Sequence, residues 1–277
     1  MTKELVSICI PTYNSGKYVK RTLDSVLGQS YSNLEVIIVD DCSKDDTKEV
    51  IAQYKDPRIK FYENDNNLGL TGNWNKSLEM ATGDFIKLLC ADDIIYPSCI
   101  EEEVEAFTKY PQISMVIGNT HIVNTDDKIT HNQRKLSREG LYNGLSLAKR
   151  ALVTKNFYGA PCSGLFRKST INKIGGYDED LPTIPDYDMW IRLCYEGDVY
   201  FIDKYLSAFR IHNVSNTNKI ISGRRKEFID EHKLLFRKHR GYGRVKLTDF
   251  DEKRFLATRA VRNYMLGIFI KYFNSRR

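Results

Sequence analysis

The chain of 277 residues and 32.1 kDa is 42% hydrophobic and 28% charged, which suits a soluble globular protein near the size limit of one core and excludes disorder, collagen and small disulfide scaffolds. The net charge of +6 is unevenly held: from Lys219 onward 17 Lys and Arg stand against 6 Asp and Glu, so the body before it is acidic. No apolar run reaches the ~20 residues of a membrane span, no zinc-finger or RNP-type motif points to nucleic acid, and MTKELVSICIP enters a strand without a signal-peptide core; a cytoplasmic protein with no nucleic-acid partner is expected.

The first ninety residues alternate strands and helices. Leu5 to Ile10 is a β-rich run, and Gly16 to Gln29 places Tyr18, Val19, Leu23, Val26 and Leu27 at helical spacing behind Asn14 and Ser15. The strand Leu34 to Val39 follows, then a helix near Thr47 to Tyr54, a strand Ile59 to Tyr62, a helix near Thr71 to Ala81 and a strand Asp84 to Leu89. This is repeated βαβ, which predicts an α/β fold with a mostly parallel sheet flanked by helices. Uncharged strands such as Val36 to Val39 are buried on both faces, and ligands in such sheets bind beyond the C-terminal strand ends. Those ends are polar: Pro11, Thr12, Tyr13 and Asn14 after the first strand, Asp40 to Ser43 after the second, Cys90 to Asp93 after the fourth. Neither GxGxxG nor GxxxxGK[ST] follows the first strand, which argues against a dinucleotide dehydrogenase and a P-loop NTPase. The six cysteines, Cys9, Cys42, Cys90, Cys99, Cys162 and Cys194, form no CxxC pair and read as free thiols.

The set IPTYN (10–14), VDDCSKDDT (39–47), NLG (67–69) with Asn75, and ADD (91–93) resembles the nucleotide-sugar half of family 2 glycosyltransferases, which have the Rossmann-like GT-A fold. GGYDEDLPTIPDYDMWIRL (175–193) and YLSAFRIH (205–212) resemble that family's acceptor half. The sequence departs from the pattern at Cys90 and Pro185, where relatives often carry an acidic residue. The expected organisation is a catalytic domain over 1–218, its nucleotide-sugar half ending near 97 and its acceptor half covering 98–218, followed by a basic helical extension over 219–277.

The resemblance implies a nucleotide-sugar donor, a divalent cation and inversion at the anomeric carbon. A uracil base offers one N–H donor, two carbonyl acceptors and a stacking face, so Asp41 and Tyr13, with Pro11 and Thr12 beside them, suit a UDP-sugar; Asn67, Gly69 and Asn75 join the donor side. The plain alternative is that Asp40, Asp41, Ser43 and Asp45 shape the turn and cap the next helix. Asp92 and Asp93 repel unless a hard cation such as Mn²⁺ or Mg²⁺ sits between them and a substrate phosphate, or unless they line a solvated turn before Pro97. The family pattern implies Asp93 as metal ligand and Asp92 as its ribose-side neighbour. His212 reads as a second metal ligand or diphosphate contact, with Arg210 on the same strand face. The family pattern also implies Asp186 as the base that takes the proton of the acceptor hydroxyl, with Arg192 six residues later as a donor contact, like Arg210. Asp188 is the second candidate, and both carboxylates also suit a helix N-terminus.

The stretches 121–142 and 156–167 are expected on the acceptor side, where a saccharide, free or lipid-linked, would bind, as in the assembly of bacterial surface polysaccharides. From Arg259 an apolar stripe, Val261, Tyr264, Met265, Ile268, Phe269 and Tyr272, recurs among basic residues. Three fates suit it: an anionic inner membrane leaflet contacted peripherally through 259–277, the catalytic domain, or a second subunit in a homodimer. A non-catalytic nucleotide-sugar-binding or adaptor protein is the competing function, with Cys90 and Pro185 as marks of a decayed site.

Overall fold

The computed structural model describes residues 4–212 and 225–274, with side chains in the last helix up to Val261. Strand β1 (Val6–Thr12) and strand β2 (Leu34–Asp40) pair in parallel from Val6 opposite Leu34 to Thr12 opposite Asp40. Helix α1 (Gly16–Leu27) crosses between them; α2 (Thr47–Ala52) leads to β3 (Ile59–Glu63), and α3 (Gly69–Met80) to β4 (Phe85–Leu88). β3 extends the sheet beyond β2 and β4 lies against β1, both parallel, so the predicted repeat forms one continuous half-sheet.

The second half is mixed. A short β5 (Ile94–Ile95) precedes α4 (Cys99–Lys109), β6 (Ile113–Val123), β7 (Ile129–Gln133), β8 (Gly140–Tyr142) and α5 (Gly144–Val153). After the 3-10 turn Pro161–Ser163 come β9 (Gly164–Arg167), α6 (Lys168–Ile174), α7 (Pro185–Glu196) and the long β10 (Asp198–Arg210). The strand order is β3-β2-β1-β4-β9-β6-β10-β5, with β7 on β6 and β8 on β10. β9 runs antiparallel to both its neighbours, while β6 and β10 pair in parallel, so the second half of the sheet is mixed. Helices α8 (Arg225–Gly241) and α9 (Asp249–Asn274) close the chain.

Alternation along the strands splits the core between two faces. Val6, Ile8 and Ile10 pack with Val19, Leu23, Ile100 and Phe107 of α1 and α4. Cys9, Ile37 and Val39 pack on the other face in the cluster of Trp74, Leu152 and Trp190. Leu235 and Phe236 of α8 and Phe255 of α9 are buried in that same cluster, so the core continues across position 218. Burial of a side chain of that size contributes roughly 1.5–3 kcal/mol, so these residues anchor the extension firmly to the body. Of the fates open to the tail, packing on the catalytic body is the one its described part adopts: Arg259 is 2% exposed, whereas Val261, expected on the apolar stripe, is 63% exposed. The stripe positions from Tyr264 onward lie outside the described side chains. All six cysteines are free thiols, and no described helix is long and apolar enough to cross a membrane.

Candidate active site

The turn after β2 is built by its own carboxylates. Asp40 accepts from Thr12 Oγ1 at 3.0 Å, Ser43 N at 2.8 Å and Ser43 Oγ at 2.5 Å. Asp41 Oδ1 accepts from Asn64 Nδ2 at 2.8 Å and Leu68 N at 2.7 Å, and Oδ2 from Gly69 N at 3.0 Å. Asn67 donates to the Asp41 carbonyl at 2.9 Å, which folds NLG back over the turn, and Gly69 takes φ +74, a conformation that favours glycine. Asn14 Oδ1 accepts from Lys44 N at 2.8 Å and its N–H donates to Ser43 Oγ at 2.9 Å, so the first and second strand ends form one ledge. Pro11 and Thr12 are buried beneath this ledge, and Tyr13, 53% exposed, lies open at its rim. Asp41 thus shapes the loop with every hydrogen bond it is given, and Tyr13 offers a free aromatic face.

The turn after β4 is held from two sides, with its carboxylates left under-used. Thr22 Oγ1 donates to the carbonyls of Ala91 (2.9 Å) and Asp93 (2.8 Å), and Arg210 Nε donates to the Asp92 carbonyl at 2.8 Å. Arg210 N–H donates to Asp93 Oδ1 at 3.0 Å, whereas the buried Oδ2 of Asp93 accepts nothing. Burial, then the charge of Asp92, pushes the Asp93 carboxyl well above its ordinary value. The ligand atoms of Cys90, Asp92 and Asp93 all lie within 4.8 Å of one another. Strand β10 ends at Arg210, so His212 is not on a shared strand face with it; the chain instead turns and brings His212 Nε2 to 2.9 Å from Asp92 Oδ2. An orphaned buried carboxylate oxygen beside a second carboxylate fits a divalent cation, with the His212 imidazole hydrogen-bonded to Asp92 at its edge. Burial with the charges of Asp93, Asp92 and, more weakly, Asp186 pushes the Cys90 thiol well up, which keeps it a thiol.

Arg210 is fully buried, with Nη1 donating to the Asn124 carbonyl at 2.7 Å and an ion pair to Asp127, and its guanidinium lies 5.1 Å from the Tyr18 ring. Tyr18 in turn lies 4.8 Å from the His212 ring. Arg210 therefore braces the turn from behind. Arg192 is likewise engaged inside the protein: Nε donates to Asp188 Oδ2 at 2.6 Å and its other nitrogens to the carbonyls of Ile174, Gly175 and Gly176. Asn75 of α3 grips the same loop, accepting from Tyr177 N at 2.6 Å and donating to its carbonyl at 3.0 Å.

The two base candidates separate cleanly. Both stand in the first turn of α7, behind Pro185 at its start. Asp188 is fully buried, with His239 on one oxygen at 3.0 Å and Arg192 on the other; against the cost of burial, these two partners hold its carboxyl below the ordinary value. Asp186 is half-buried, and its Oδ1 accepts from the Tyr187 N–H at 2.8 Å. Burial raises its carboxyl to about 6, and the nearest opposing charge is Lys135. That is the state a proton acceptor at neutral pH needs, while Asp188 is committed to structure. Lys135, missed by motif reading, is buried beside Gly159 with Gln133 as its side-chain partner, and burial lowers its ammonium to about 8. It falls within the stretch expected on the acceptor side, but no sequence pattern marks it.

The profile of the family described as "Glycosyl transferase family 2" matches residues 7–175. The chain belongs to the family 2 glycosyltransferases. Among relatives, an uncharacterized glycosyltransferase of Methanocaldococcus jannaschii is 32% identical over 222 residues, covering 78% of this chain and 74% of that protein. Among solved structures, S. aureus TarS in complex with UDP-GlcNAc superposes with a TM-score of 0.72 at 19% identity, over 95% of this chain and 73% of that one. A mannosyltransferase of Pyrobaculum calidifontis in complex with GDP-Man and Mn²⁺ gives 0.64 at 16% identity, over 95% and 72%. At such identities the two structures speak for the shared fold. In this glycosyltransferase the strand-end ledge and the Cys90–Asp93 cluster share one edge of the sheet, and the Asp186 charge is felt at Cys90. The arrangement leaves an unsatisfied buried carboxylate oxygen at Asp93 and a raised carboxyl at Asp186.

Proposed function

We propose that the chain transfers a sugar from a UDP-sugar to a hydroxyl of a saccharide acceptor, with a divalent cation and with inversion at the anomeric carbon. The observation that carries this reading is the contrast among the carboxylates: Asp93 has an orphaned buried oxygen and Asp186 a raised carboxyl, while Asp40, Asp41 and Asp188 are engaged by their own chain on both oxygens. Asp93, Asp92 and His212 would hold Mn²⁺ or Mg²⁺, which when bound supplies positive charge for the departing diphosphate. Tyr13 offers its exposed ring for the base to stack on, and the Asp41–Asn67–Gly69 ledge fixes the floor below it. Asp186 takes the proton of the acceptor hydroxyl as that oxygen attacks the face of the sugar opposite the nucleotide, so no covalent enzyme intermediate forms. The complexes named for the two solved structures, with a UDP-sugar and with a GDP-sugar and Mn²⁺, support a nucleotide-sugar donor and a metal. A lipid-linked saccharide from surface polysaccharide assembly fits a cytoplasmic enzyme of this kind.

The test is UDP release from a panel of UDP-sugars with Mn²⁺, run beside Asp93→Asn, Asp186→Asn and a chelator. One sugar hydrolysed or transferred by wild type, and by none of the controls, supports the reading. Metal-dependent UDP binding with no turnover of any sugar and acceptor pair would favour the adaptor function instead.

A further inference from the structure

Residues 178–188, the loop before α7 and its first turn, are held chiefly by the C-terminal extension. Glu231 Oε2 of α8 accepts from Thr183 N at 2.9 Å and Thr183 Oγ1 at 2.8 Å. Lys238 donates to Asp178 at 2.6 Å and Asp180 at 2.7 Å. His239, fully buried, places Nε2 at 3.0 Å from Asp188 Oδ1 and Nδ1 at 2.9 Å from the Tyr195 hydroxyl. Arg259 of α9 donates to the Tyr187 hydroxyl at 2.7 Å, with its guanidinium 5.2 Å from that ring, and Tyr187 donates onward to the Ala151 carbonyl at 2.7 Å. These contacts reach residues 178, 180, 183, 187 and 188, on both sides of Asp186, and none touches Asp186 itself.

We propose that the C-terminal extension is a clamp that positions Asp186, with His239 and Arg259 as its positioning residues. The physical case rests on where the rigidity comes from. The carboxylate of Asp186 accepts from the Tyr187 backbone N–H, so its location is set by the backbone of residues 183–188. That segment is held by charge-assisted contacts from α8 and α9, of which Glu231 reaches the Thr183 N–H and the buried His239 and Arg259 reach the side chains of Asp188 and Tyr187. Asp188 in turn holds Arg192, and Arg192 holds the carbonyls of residues 174–176, so the stretch that leads into the loop is tied to the same helix. The basic extension thereby gains a role in chemistry without contributing a group that touches substrate.

The inference rests on Asp186 being the base, and the experiment separates the two claims. In the full-length chain, His239→Gln, His239→Ala and Arg259→Met are compared with Asp186→Asn and with Lys233→Ala, an exposed change on α8. The readouts are kcat, donor KM, UDP affinity and Tm. A misplacement of the base by about 1 Å costs about 10²-fold in rate, so His239→Ala and Arg259→Met are expected to lower kcat 10- to 100-fold with donor KM and UDP affinity within about twofold of wild type. His239→Gln, which can still donate to Asp188, should recover part of that loss, and Lys233→Ala should match wild type. Folded His239→Ala and Arg259→Met proteins with wild-type kcat would overturn the clamp while Asp186→Asn remains inactive. If the Ala variant does not fold, the Gln and Met variants carry the same comparison. An active Asp186→Asn would instead remove the base assignment on which the clamp depends.

Discussion

Two turns at the same sheet edge carry adjacent aspartates, and they are built in opposite ways. After β2, the oxygens of Asp40 and Asp41 accept six hydrogen bonds from their own chain, and this network makes the loop. After β4, Thr22 and Arg210 stabilise the backbone from outside, and the carboxylates contribute little: Asp93 Oδ2 is buried and unsatisfied. A buried carboxylate that stabilises its surroundings is shaping the loop, whereas one the fold holds in place without satisfying it is waiting for a ligand. The same DD pair therefore has two meanings, and the hydrogen-bond partners tell them apart.

The comparison extends to Asp186, in the first turn of α7, and the largest effect is expected there. Asp186→Asn should lower kcat by about 10²–10⁴-fold, the usual contribution of a positioned base. Since the ionised form is the active one and burial raises the carboxyl from 3.8 to about 6, wild-type turnover should rise with pH through about 6. The stability sign runs the other way. The folded protein favours the protonated acid, so this contribution is fully present below 3.8 and lost as pH rises through about 6. At pH 7.5 Asp186→Asn should be more stable than wild type by about 1–2 kcal/mol, read from urea melts. Normal turnover would remove Asp186 from the reaction, and a loss of stability would place it among the structural carboxylates.

The next effect belongs to the saturated turn. Asp41→Ala leaves the amide of Asn64 and the N–H groups of Leu68 and Gly69 without their acceptor, so a loss of about 2 kcal/mol is expected in chemical denaturation. The variant should still be stabilised by Mn²⁺, because its lesion is in the ledge. For the unsaturated turn the pattern inverts: Asp93→Asn should keep or raise the metal-free Tm and lose the Mn²⁺-induced shift, with metal affinity at least ~10-fold weaker. If both variants respond alike to Mn²⁺, the distinction between the turns fails. The smallest effect is expected at Asp45, which accepts from Gly16 N at 3.0 Å and from Thr47 at the start of α2: Asp45→Ala should cost about 1 kcal/mol and leave UDP release intact.

Much of this edge was legible in the sequence because strand ends and turn chemistry are local. The βαβ spacing gave β1 to β4 to within two residues, and the polar runs after three of those strands marked the ledge and the cluster. What sequence could not give is which oxygen is already occupied. Asp41 and Asp93 read alike as acidic strand ends, and Arg192 and Arg210 read as donor contacts, although both guanidiniums are engaged with carbonyls and carboxylates inside the protein. The choice between Asp186 and Asp188 likewise turned on His239, which lies 51 residues after Asp188 and belongs to no motif. The tail's amphipathic pattern suited three fates equally, and its described part packs on α5 and α7 through Phe236, Phe255 and Arg259.

By itself, then, the sequence determined the class of fold, the family and the edge of the sheet where chemistry belongs, because periodicity, turn residues and strand-end carboxylates are encoded within a few residues of one another. Only the tertiary structure decided which carboxylates are spent on architecture and which stay available, and that helices α8 and α9 hold the segment around Asp186. Those outcomes depend on partners 20 to 120 positions away, and the desolvation and hydrogen bonding that set a carboxylate's chemistry exist only once such partners are packed against it.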